Sequence, residues 1–345
     1  MGRTEYDPIR KKAVRKRTAV ASLIILVAIP MLIALSTFLD NGKLFMLFSL
    51  GVVICCMAPF FMVFEKRKPK AREIVLVAMM SAITVAAHMF LHITVPIQIG
   101  TAMVIIAGIS MGPEAGFLVG ALSRFVCNFY MGQGPWTPWQ MFCWGLLGFL
   151  AGFAFNKIDM VNISESIKSR DFKVVLGPVL CIAAAEILAF VSYFIWPESG
   201  ETYVQIDGFS GFVDKITASG SLKEVLNLLG AVLGWRVYFF GALGLLAGIL
   251  LQRKRMPVDN ITITAFTFFT TLILYGGIMN IAAMFTSAGI AGSGGISWNT
   301  LRLLYITGLP YDIVHATTAS FCIFIMGNPM IRKIERIKIK YGIYK

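Results

Sequence analysis

The stretch that decides the fold lies at residues 112–152 and reads GPEAGFLVGALSRFVCNFYMGQGPWTPWQMFCWGLLGFLAG. Two apolar runs flank a short uncharged loop that contains prolines, glycines, aromatic rings and amide side chains. About 20 apolar residues in a helix cross the hydrocarbon core of a bilayer, and each run approaches that length. Pro135 and Pro138 restrict the backbone of the loop between the runs. The stretch therefore predicts two membrane helices joined by a stiff loop.

The composition extends this prediction to the whole chain. Hydrophobic residues make up 57% of its 345 residues and charged residues 14%, and the mean hydropathy is +0.76. Alternating strands of the kind that build a transmembrane barrel are not seen in the sequence. The chain is predicted to be an all-α polytopic membrane protein. Ten apolar segments are predicted to span the membrane, at 18–39, 43–64, 73–94, 97–111, 114–131, 138–155, 174–196, 230–251, 260–285 and 306–327.

The net charge of +13 is concentrated between the predicted spans. With ten spans, every basic cluster falls on one side, and by the positive-inside rule that side is cytoplasmic. Both termini are then cytoplasmic, and the loop at 128–141 and the acidic segment at 197–229 lie outside. The basic clusters occur at 3–17, 66–72, 157–173, 253–255 and 332–340. This distribution explains the basic charge by membrane topology, so binding of nucleic acid is not predicted.

Two other patterns concern the organisation of the chain. Small residues and a tryptophan in 139–152 recur in 235–248, so 174–252 is either a degenerate copy of the hairpin 112–156 or simply another closely packed pair of helices. The six cysteines lie in or beside apolar runs without the spacing of metal ligands or a disulfide framework. No metal site and no cofactor are predicted.

The predicted span 73–94 has two contrasting faces. Ala78, Ala82 and Ala86 recur every four residues and form a smooth stripe, which could pack inside the bundle or contact another protein. His88 and His92 follow at a spacing of four and point away from that stripe. They could share a metal ion with Asp312 and His315 of the last span, but no feature of the sequence brings the two pairs together.

A few ionisable residues lie inside predicted spans, where they are costly and usually face an interior or a cavity. Arg124 lies just below the 128–141 loop and Glu186 lies in the span 174–196. Arg236 is near an outer end, where its side chain could instead reach the interface. Asn280 is a lone amide in the span 260–285, where it contacts a ligand or forms an interhelical hydrogen bond.

The outer loop is the strongest candidate for ligand recognition. Trp136 and Trp139 offer flat apolar surface with one N–H each, while Asn128, Gln133 and Gln140 can both donate and accept hydrogen bonds. An aromatic belt at the membrane interface would explain the tryptophans but not the prolines, glycines and amides. The sequence has no P-loop, nucleophile elbow or HExxH motif. It therefore predicts a transport or binding function that takes its energy from elsewhere.

Three stretches resemble the substrate-binding S components of energy-coupling factor (ECF) vitamin transporters. They are AMMSAITVAA at 78–87, the 112–152 stretch quoted above, and LPYDIVHATTASFCIFIMGNPMIRKIERIKIKYG at 309–342. The resemblance implies a prokaryotic cell-membrane protein with a six-helix core at 73–156 and 260–345. Residues 1–72 and 157–259 would add four further helices. It also implies a vitamin ligand, a membrane T component and two ATPase subunits as partners.

The resemblance assigns roles to individual residues. The stripe of Ala78, Ala82 and Ala86 would contact the T component. The form QGPWTPWQ at 133–140 is most similar to cobalamin-type members, with thiamine, riboflavin, biotin and haem- or lipid-like compounds as other possible ligands. The expected ligand contacts are His88, His92, Arg124, Asn128, Tyr130, Gln133, Trp136, Trp139, Gln140, Asn280, Asp312 and His315.

Two other functions remain as alternatives. The first is an integral membrane enzyme that acts on lipid or prenyl groups through Arg124, Glu186, Asp312 and His315. Against it, the chain lacks the paired acidic motifs that hold Mg²⁺ and pyrophosphate. The second is a scaffold or self-standing transporter, in which the four further helices replace the external energy module.

Overall fold

The computed structural model describes residues 43–66, 69–94, 97–155, 172–195, 208–251, 256–291 and 296–343, and these are almost entirely helical. A π-helical segment, Thr271–Gly276, joins two of the helices. The helices are α1 (Lys43–Lys66), α2 (Ala71–Thr94), α3 (Ile99–Met111), α4 (Pro113–Met131), α5 (Thr137–Ala154), α6 (Phe172–Ile195), α7 (Gly208–Ala218), α8 (Leu222–Leu251), α9 (Asn260–Thr270), α10 (Gly277–Ala291) and α11 (Trp298–Lys340).

The predicted spans from 43–64 onward fall on helices, with 260–285 covering α9, the π-helical segment and part of α10. The span 18–39 lies outside the described residues. Four helical segments of the described chain are long and apolar enough to cross a membrane by length and composition: Ala71–His92, Leu222–Leu251, Asn260–Ser287 and Trp298–Lys340. Leu50–Glu65, Ile99–Met111 and Leu180–Ile195 are shorter apolar helices. A membrane protein is thus supported, and the number of ten spans stays a prediction.

Two segments are more helical than the sequence suggests. The predicted outer loop 197–229 contains α7 and the first turns of α8. The predicted span 306–327 is only the middle of α11, which extends over 43 residues. Hydropathy identifies only the part of a helix that is apolar all round, so it misses a helix that continues with one buried face. Ile331 and Ile334, in the basic continuation of α11, provide that buried face.

Glycines bring α3, α4 and α5 into backbone contact. A Cβ atom at Gly116 would lie 2.6 Å from both the Cα of Gly108 and the carbonyl oxygen of Gly148. Gly112 has φ = 98° and forms the sharp turn between α3 and α4, with Pro113 at the start of α4. Such close approach requires residues without side chains. The predicted hairpin of α4 and α5 is confirmed, and α3 fits against it.

The short helix α3 is the centre of the bundle, and every one of its residues from Ile99 to Met111 is buried. Its 13 residues span only about 20 Å. The basic end of α11 covers its C-terminal end, where the Lys338 ammonium donates to the Ser110 carbonyl and pairs with Glu335 at 2.6 Å. Arg72 Nη1 also donates to the carbonyl of Tyr341 at 2.6 Å. Lys338 thus caps a carbonyl group in the last turn of α3, and Arg72 ties the end of α11 to α2.

Helices α6 and α8 form a second closely packed hairpin. A Cβ at Gly244 would lie 2.7 Å from the Cβ of Ala185 on α6. Near the other end, Gly234 has φ = 41° and kinks α8 against Ile306 of α11. The small residues shared by 139–152 and 235–248 therefore lie where helices touch, which close packing explains without duplication. Division of the chain into a core and an inserted hairpin stays a prediction.

Candidate functional site

A hydrogen-bonded network joins the last turns of α4 to the first turn of α5. The guanidinium of Arg124 donates through Nε to Oε1 of Gln140 at 3.0 Å. Asn128 Nδ2 donates to the same oxygen at 2.8 Å and to the Thr137 hydroxyl at 3.0 Å. The backbone N–H of Gly134 donates to that hydroxyl at 3.1 Å. The loop is thus fixed at its base by buried polar groups of the two helices.

Helix α2 extends this network with two histidines. Nη1 of Arg124 lies 3.4 Å from Nε2 of His88, which is completely buried. The His88 ring stacks on His92 at 4.9 Å and meets the ring of Trp144 edge-on at 5.0 Å. Arg124 also lies over the Trp144 ring at 5.2 Å. His92 in turn contacts Gln98 at 3.4 Å. We call His88, His92, Arg124, Asn128, Thr137, Gln140 and Trp144 the arginine cluster.

The arginine cluster contains buried polar atoms without a partner in the part of the chain that the structure describes. They are Nδ1 of His88, Oδ1 of Asn128 and Nε1 of Trp144. Buried polar atoms in native proteins nearly always have a partner, and leaving one unpaired costs about 1–3 kcal/mol. A polar ligand bound here could form hydrogen bonds with the His88 nitrogen, the Asn128 oxygen and the indole N–H of Trp144.

A second polar group lies on α8, α10 and α11. The hydroxyl of Tyr238 donates to Oδ2 of Asp312 at 2.5 Å, and Asn280 Nδ2 donates to the same oxygen at 2.9 Å. Asn280 Nδ2 also donates to the carbonyl of Gly276 at 2.9 Å. Tyr305 stacks on Tyr238 with ring centroids 4.5 Å apart. We call Tyr238, Asn280, Tyr305 and Asp312 the aspartate cluster.

His315 and Tyr275 connect the two clusters. Nε2 of His315 lies 2.9 Å from the hydroxyl of Thr101 at the start of α3. The ring of Tyr275 meets that of His315 at 4.4 Å and packs against the buried group that includes Trp144. His315 is one helical turn from Asp312, so the two side chains share a face of α11. Asp312 and His315 were predicted to share a face, and this face of α11 connects the two clusters. Asp312 belongs to the aspartate cluster, while His315 contacts Tyr275 beside the arginine cluster.

The π-helical segment Thr271–Gly276 shapes this connection. Tyr275 and Gly276 are its last two residues, and a Cβ at Gly276 would lie 2.6 Å from Cγ of Asp312. Single π-helical turns inside α-helices occur often at functional sites, because the extra residue redirects the side chains around it. Here the segment places Tyr275 beside His315 and lets the Asp312 carboxylate approach the backbone.

Other predicted ligand contacts lie outside both clusters. Tyr130 is 73% exposed, Trp136 is 38% exposed, and the exposed Gln133 donates to the carbonyl of Phe125 at 3.3 Å. Trp139 is buried in a hydrophobic cluster that also contains residues of α1, and its ring stacks on that of Phe285 with centroids 6.1 Å apart. The side chains of the loop region that join the arginine cluster lie on the flanking helices α4 and α5. Those between Tyr130 and Trp136 do not join it. Ligand contacts by Tyr130, Gln133, Trp136 and Trp139 stay predictions.

The two remaining ionisable residues lie on the α6–α8 hairpin. Glu186 packs beside Gly241, where an added Cβ would lie 2.5 Å from its carboxylate oxygen. Arg236 is only 5% exposed and lies 5.5 Å from the centre of the Tyr193 ring. It is buried beside the aromatic rings of Tyr193 and Trp235, and its depth relative to the membrane interface stays a prediction. The enzyme hypothesis placed Arg124 and Glu186 in one site, but their described contacts are with different helices.

Sequence reasoning missed Thr101, Thr137, Trp144, Tyr238 and Tyr275. Trp144 and Tyr275 lie in apolar runs, where an aromatic residue is more often core than ligand contact. The π-helical turn that positions Tyr275 has no sequence signal of its own. Tyr238 belongs to the region that was assigned to an insertion. Thr137 and Trp144 lie in the 112–152 stretch that the sequence singled out, and Thr137 also belongs to its 128–141 loop.

The alanine stripe of α2 faces outward. Ala78, Ala82 and Ala86 are exposed, whereas the neighbouring Ser81 is buried. Packing of the stripe within the described bundle is therefore excluded. In the described residues, no group of three or more His, Cys, Asp or Glu side chains could hold a metal ion.

Part of the chain matches a known protein family. Residues 68–218 match the family model described as "ECF-type riboflavin transporter, S component". The match covers less than half of the chain, and it agrees with the resemblance to S components described above. It names riboflavin, so the cobalamin type is not supported. The matched range includes 157–218, which the sequence analysis assigned to an insertion, and ends before the last core helices predicted at 260–345. No curated protein and no solved structure matches the chain.

Proposed function

We propose that this chain, which is similar to the S components of ECF transporters over residues 68–218, is a membrane-embedded subunit that binds riboflavin. It captures the vitamin at the outer face of the cell membrane. A membrane T component and two ATPase subunits then drive uptake. The chain itself makes and breaks no covalent bond.

The arginine cluster carries this proposal. A flavin ring is flat and heteroaromatic, with carbonyl oxygens and ring nitrogens along its edge. Ligand sites of this kind combine aromatic surfaces with a few fixed polar groups. Trp144 and His88 supply rings within the cluster, and the neighbouring Tyr275 supplies a third. Arg124 and the amides supply donors and acceptors. Arg124 is suited to an oxygen-rich ligand because its guanidinium has five N–H donors in a fixed plane.

Binding of riboflavin to the purified protein tests the proposed function. Riboflavin fluorescence decreases when the ring stacks on tryptophan, so titration of the protein into riboflavin gives the affinity. We expect saturable quenching and a yellow protein after desalting. Cobalamin, followed by its visible absorbance, serves as the comparison ligand and should be removed by desalting. A protein that retains cobalamin but no flavin would contradict the proposal.

The exposed alanine stripe predicts where the T component binds. Ala82→Trp places an indole on this smooth face and is expected to lower co-purification of the T component and ATPase subunits by about tenfold or more, since helices that approach through small residues tolerate no bulk. Riboflavin binding should be unchanged, because Ala82 and the buried His88 lie on different sides of α2.

Ile187→Trp is the matched control, because Ile187 is 64% exposed on α6 and lies outside the stripe. Co-purification is measured by mass spectrometry after isolation in mild detergent. Equal losses in the two variants would argue against a specific contact at the stripe. A wild-type chain that transports riboflavin in liposomes without partners would instead support a self-standing transporter.

A further inference from the structure

The carboxylate of Asp312 has an unusual position for an acidic group in a membrane helix. Both of its described hydrogen bonds, from Tyr238 and Asn280, end on Oδ2. No described cation pairs with it, and no described hydrogen bond ends on Oδ1. A carboxylate inside a membrane is costly unless it is paired, and such residues usually serve a function. The arrangement leaves one carboxylate oxygen available as an acceptor.

The surroundings of Asp312 hold the carboxylate in place. A side chain at Gly276 would collide with it, and Gly308 leaves the corresponding room for Asn280. Tyr238 is 5% exposed, and its ring stacks on that of Tyr305. The hydroxyl of Tyr305 donates to the carbonyl of Gly277 at 3.3 Å. Two glycines and a stacked pair of tyrosines thus serve to position one carboxylate. Fixed groups of this kind are what selective binding sites require.

Asp312 is linked to the proposed riboflavin site through His315 and Tyr275. It is one helical turn before His315, and side chains with this spacing have Cβ atoms about 5–6 Å apart. His315 contacts Tyr275, which packs against the group containing Trp144 of the arginine cluster. A ligand that lies along Tyr275 and Trp144 would have Arg124 near one end and Asp312 near the other.

We propose that Asp312 is the specificity-determining residue that accepts a hydrogen bond from the imide N–H of the flavin ring, and that Tyr238 positions it. This inference rests on the proposed function and deepens it. The imide is the one ring N–H of oxidised riboflavin, and a carboxylate accepts without donating. Tyr238 comes from α8, in the region that the resemblance places outside the six-helix core. The added hairpin therefore contributes to ligand selection.

The experiment compares riboflavin with 3-methylriboflavin, in which a methyl group replaces the imide hydrogen. The quantity measured is the ratio of the two dissociation constants by fluorescence titration of the full chain. For the wild type we expect 3-methylriboflavin to bind about 30-fold or more weakly, because a site built around a donor rejects the analogue that lacks it. If Asp312 or Tyr238 had only a structural role, its substitution would weaken the binding of both ligands equally. The ratio of the two dissociation constants would then stay at the wild-type value.

Three variants separate the roles of the residues. Asp312→Ala should bring the ratio close to one, since it removes the acceptor and leaves room for the methyl group. Tyr238→Phe should lower the ratio by several-fold, because the carboxylate remains but loses a donor that orients it. Tyr193→Phe is the matched control, since Tyr193 is also a buried tyrosine but lies on α6, outside both clusters. Its ratio should equal that of the wild type.

Each outcome decides between the proposals. If Asp312→Ala or Tyr238→Phe keeps the wild-type ratio, the role proposed for that residue is wrong, while the riboflavin function stands. A wild-type ratio near one would overturn the inference and likewise leave that function intact. A wild-type protein that binds neither flavin would overturn the inference and the proposed function together. Because Tyr238→Phe removes only a hydroxyl, it provides a test even if Asp312→Ala fails to fold.

Discussion

Replacing Arg124 by methionine is expected to lower the affinity for riboflavin by about 100-fold or more. The substitution removes the hydrogen bond to Gln140 and the cation above the Trp144 ring, and it leaves Gln140 Oε1 with Asn128 as its described donor. Hydrogen bonds from charged groups are each worth about 1.5–3 kcal/mol, and a factor of ten in affinity corresponds to about 1.4 kcal/mol. Fluorescence titration of riboflavin measures the change.

Arg236→Met is the matched control for this prediction. Arg236 is also a buried arginine that lies beside aromatic rings, but it is on α8 next to Tyr193 and Trp235. Its replacement is expected to lower thermal stability and to leave the riboflavin affinity within about threefold of wild type. Arg124→Lys should give an intermediate loss, because an ammonium keeps the charge without the planar fork. Equal affinities of Arg124→Met and wild type would remove the arginine cluster from the binding site.

Replacing Gly148 by valine is expected to have the largest effect on the fold. A Cβ at this position would collide with the carbonyl group of Gly116 and would lie 3.0 Å from Cγ1 of Val104. A backbone carbonyl cannot rotate away as a side chain can, so α5 would have to separate from α4 and α3. Overpacking usually costs about 1–3 kcal/mol, and backbone collisions belong at the upper end or beyond. We expect little monodisperse protein on size-exclusion chromatography.

Gly327→Ala is the control for the glycine contact. A Cβ at Gly327 would meet the side chain of Ile323 at 3.1 Å, and that side chain can move by a few tenths of an ångström. This variant should elute like the wild type and melt within a few degrees of it. If Gly148→Val were folded and equally stable, the close packing of α3, α4 and α5 would not be the element that holds the bundle together.

The sequence predicted much of the local structure for identifiable reasons. The apolar runs beside the 128–141 loop gave the α4–α5 hairpin, because each run is one membrane helix long and the prolines restrict the chain between them. The spacing of alanines and histidines on α2 predicted two different faces, and the structure shows the alanine stripe exposed and His88 buried. Arg124 and Asp312 stood out because charged residues in apolar segments are costly. Each of these inferences depends on residues that are close together in the chain.

The sequence was less informative about the length of α11 and about the members of the site. Its basic end looked like a tail, since the apolar buried residues there are interrupted by lysine and arginine. Trp144, Tyr238 and Tyr275 looked like ordinary core residues. Their roles depend on neighbours that are far away in the chain, and a single sequence carries no signal for such contacts.

The sequence by itself determined that the chain forms apolar helices, where most of them begin and end, and which polar residues are out of place in them. Hydropathy and helical periodicity are local properties, so they can be read from one chain. Only the tertiary structure decided that His88, Arg124 and Gln140 meet, that Tyr238 reaches Asp312, and that the end of α11 covers the short helix α3. These arrangements follow from how closely the glycines let the helices approach and which faces then meet.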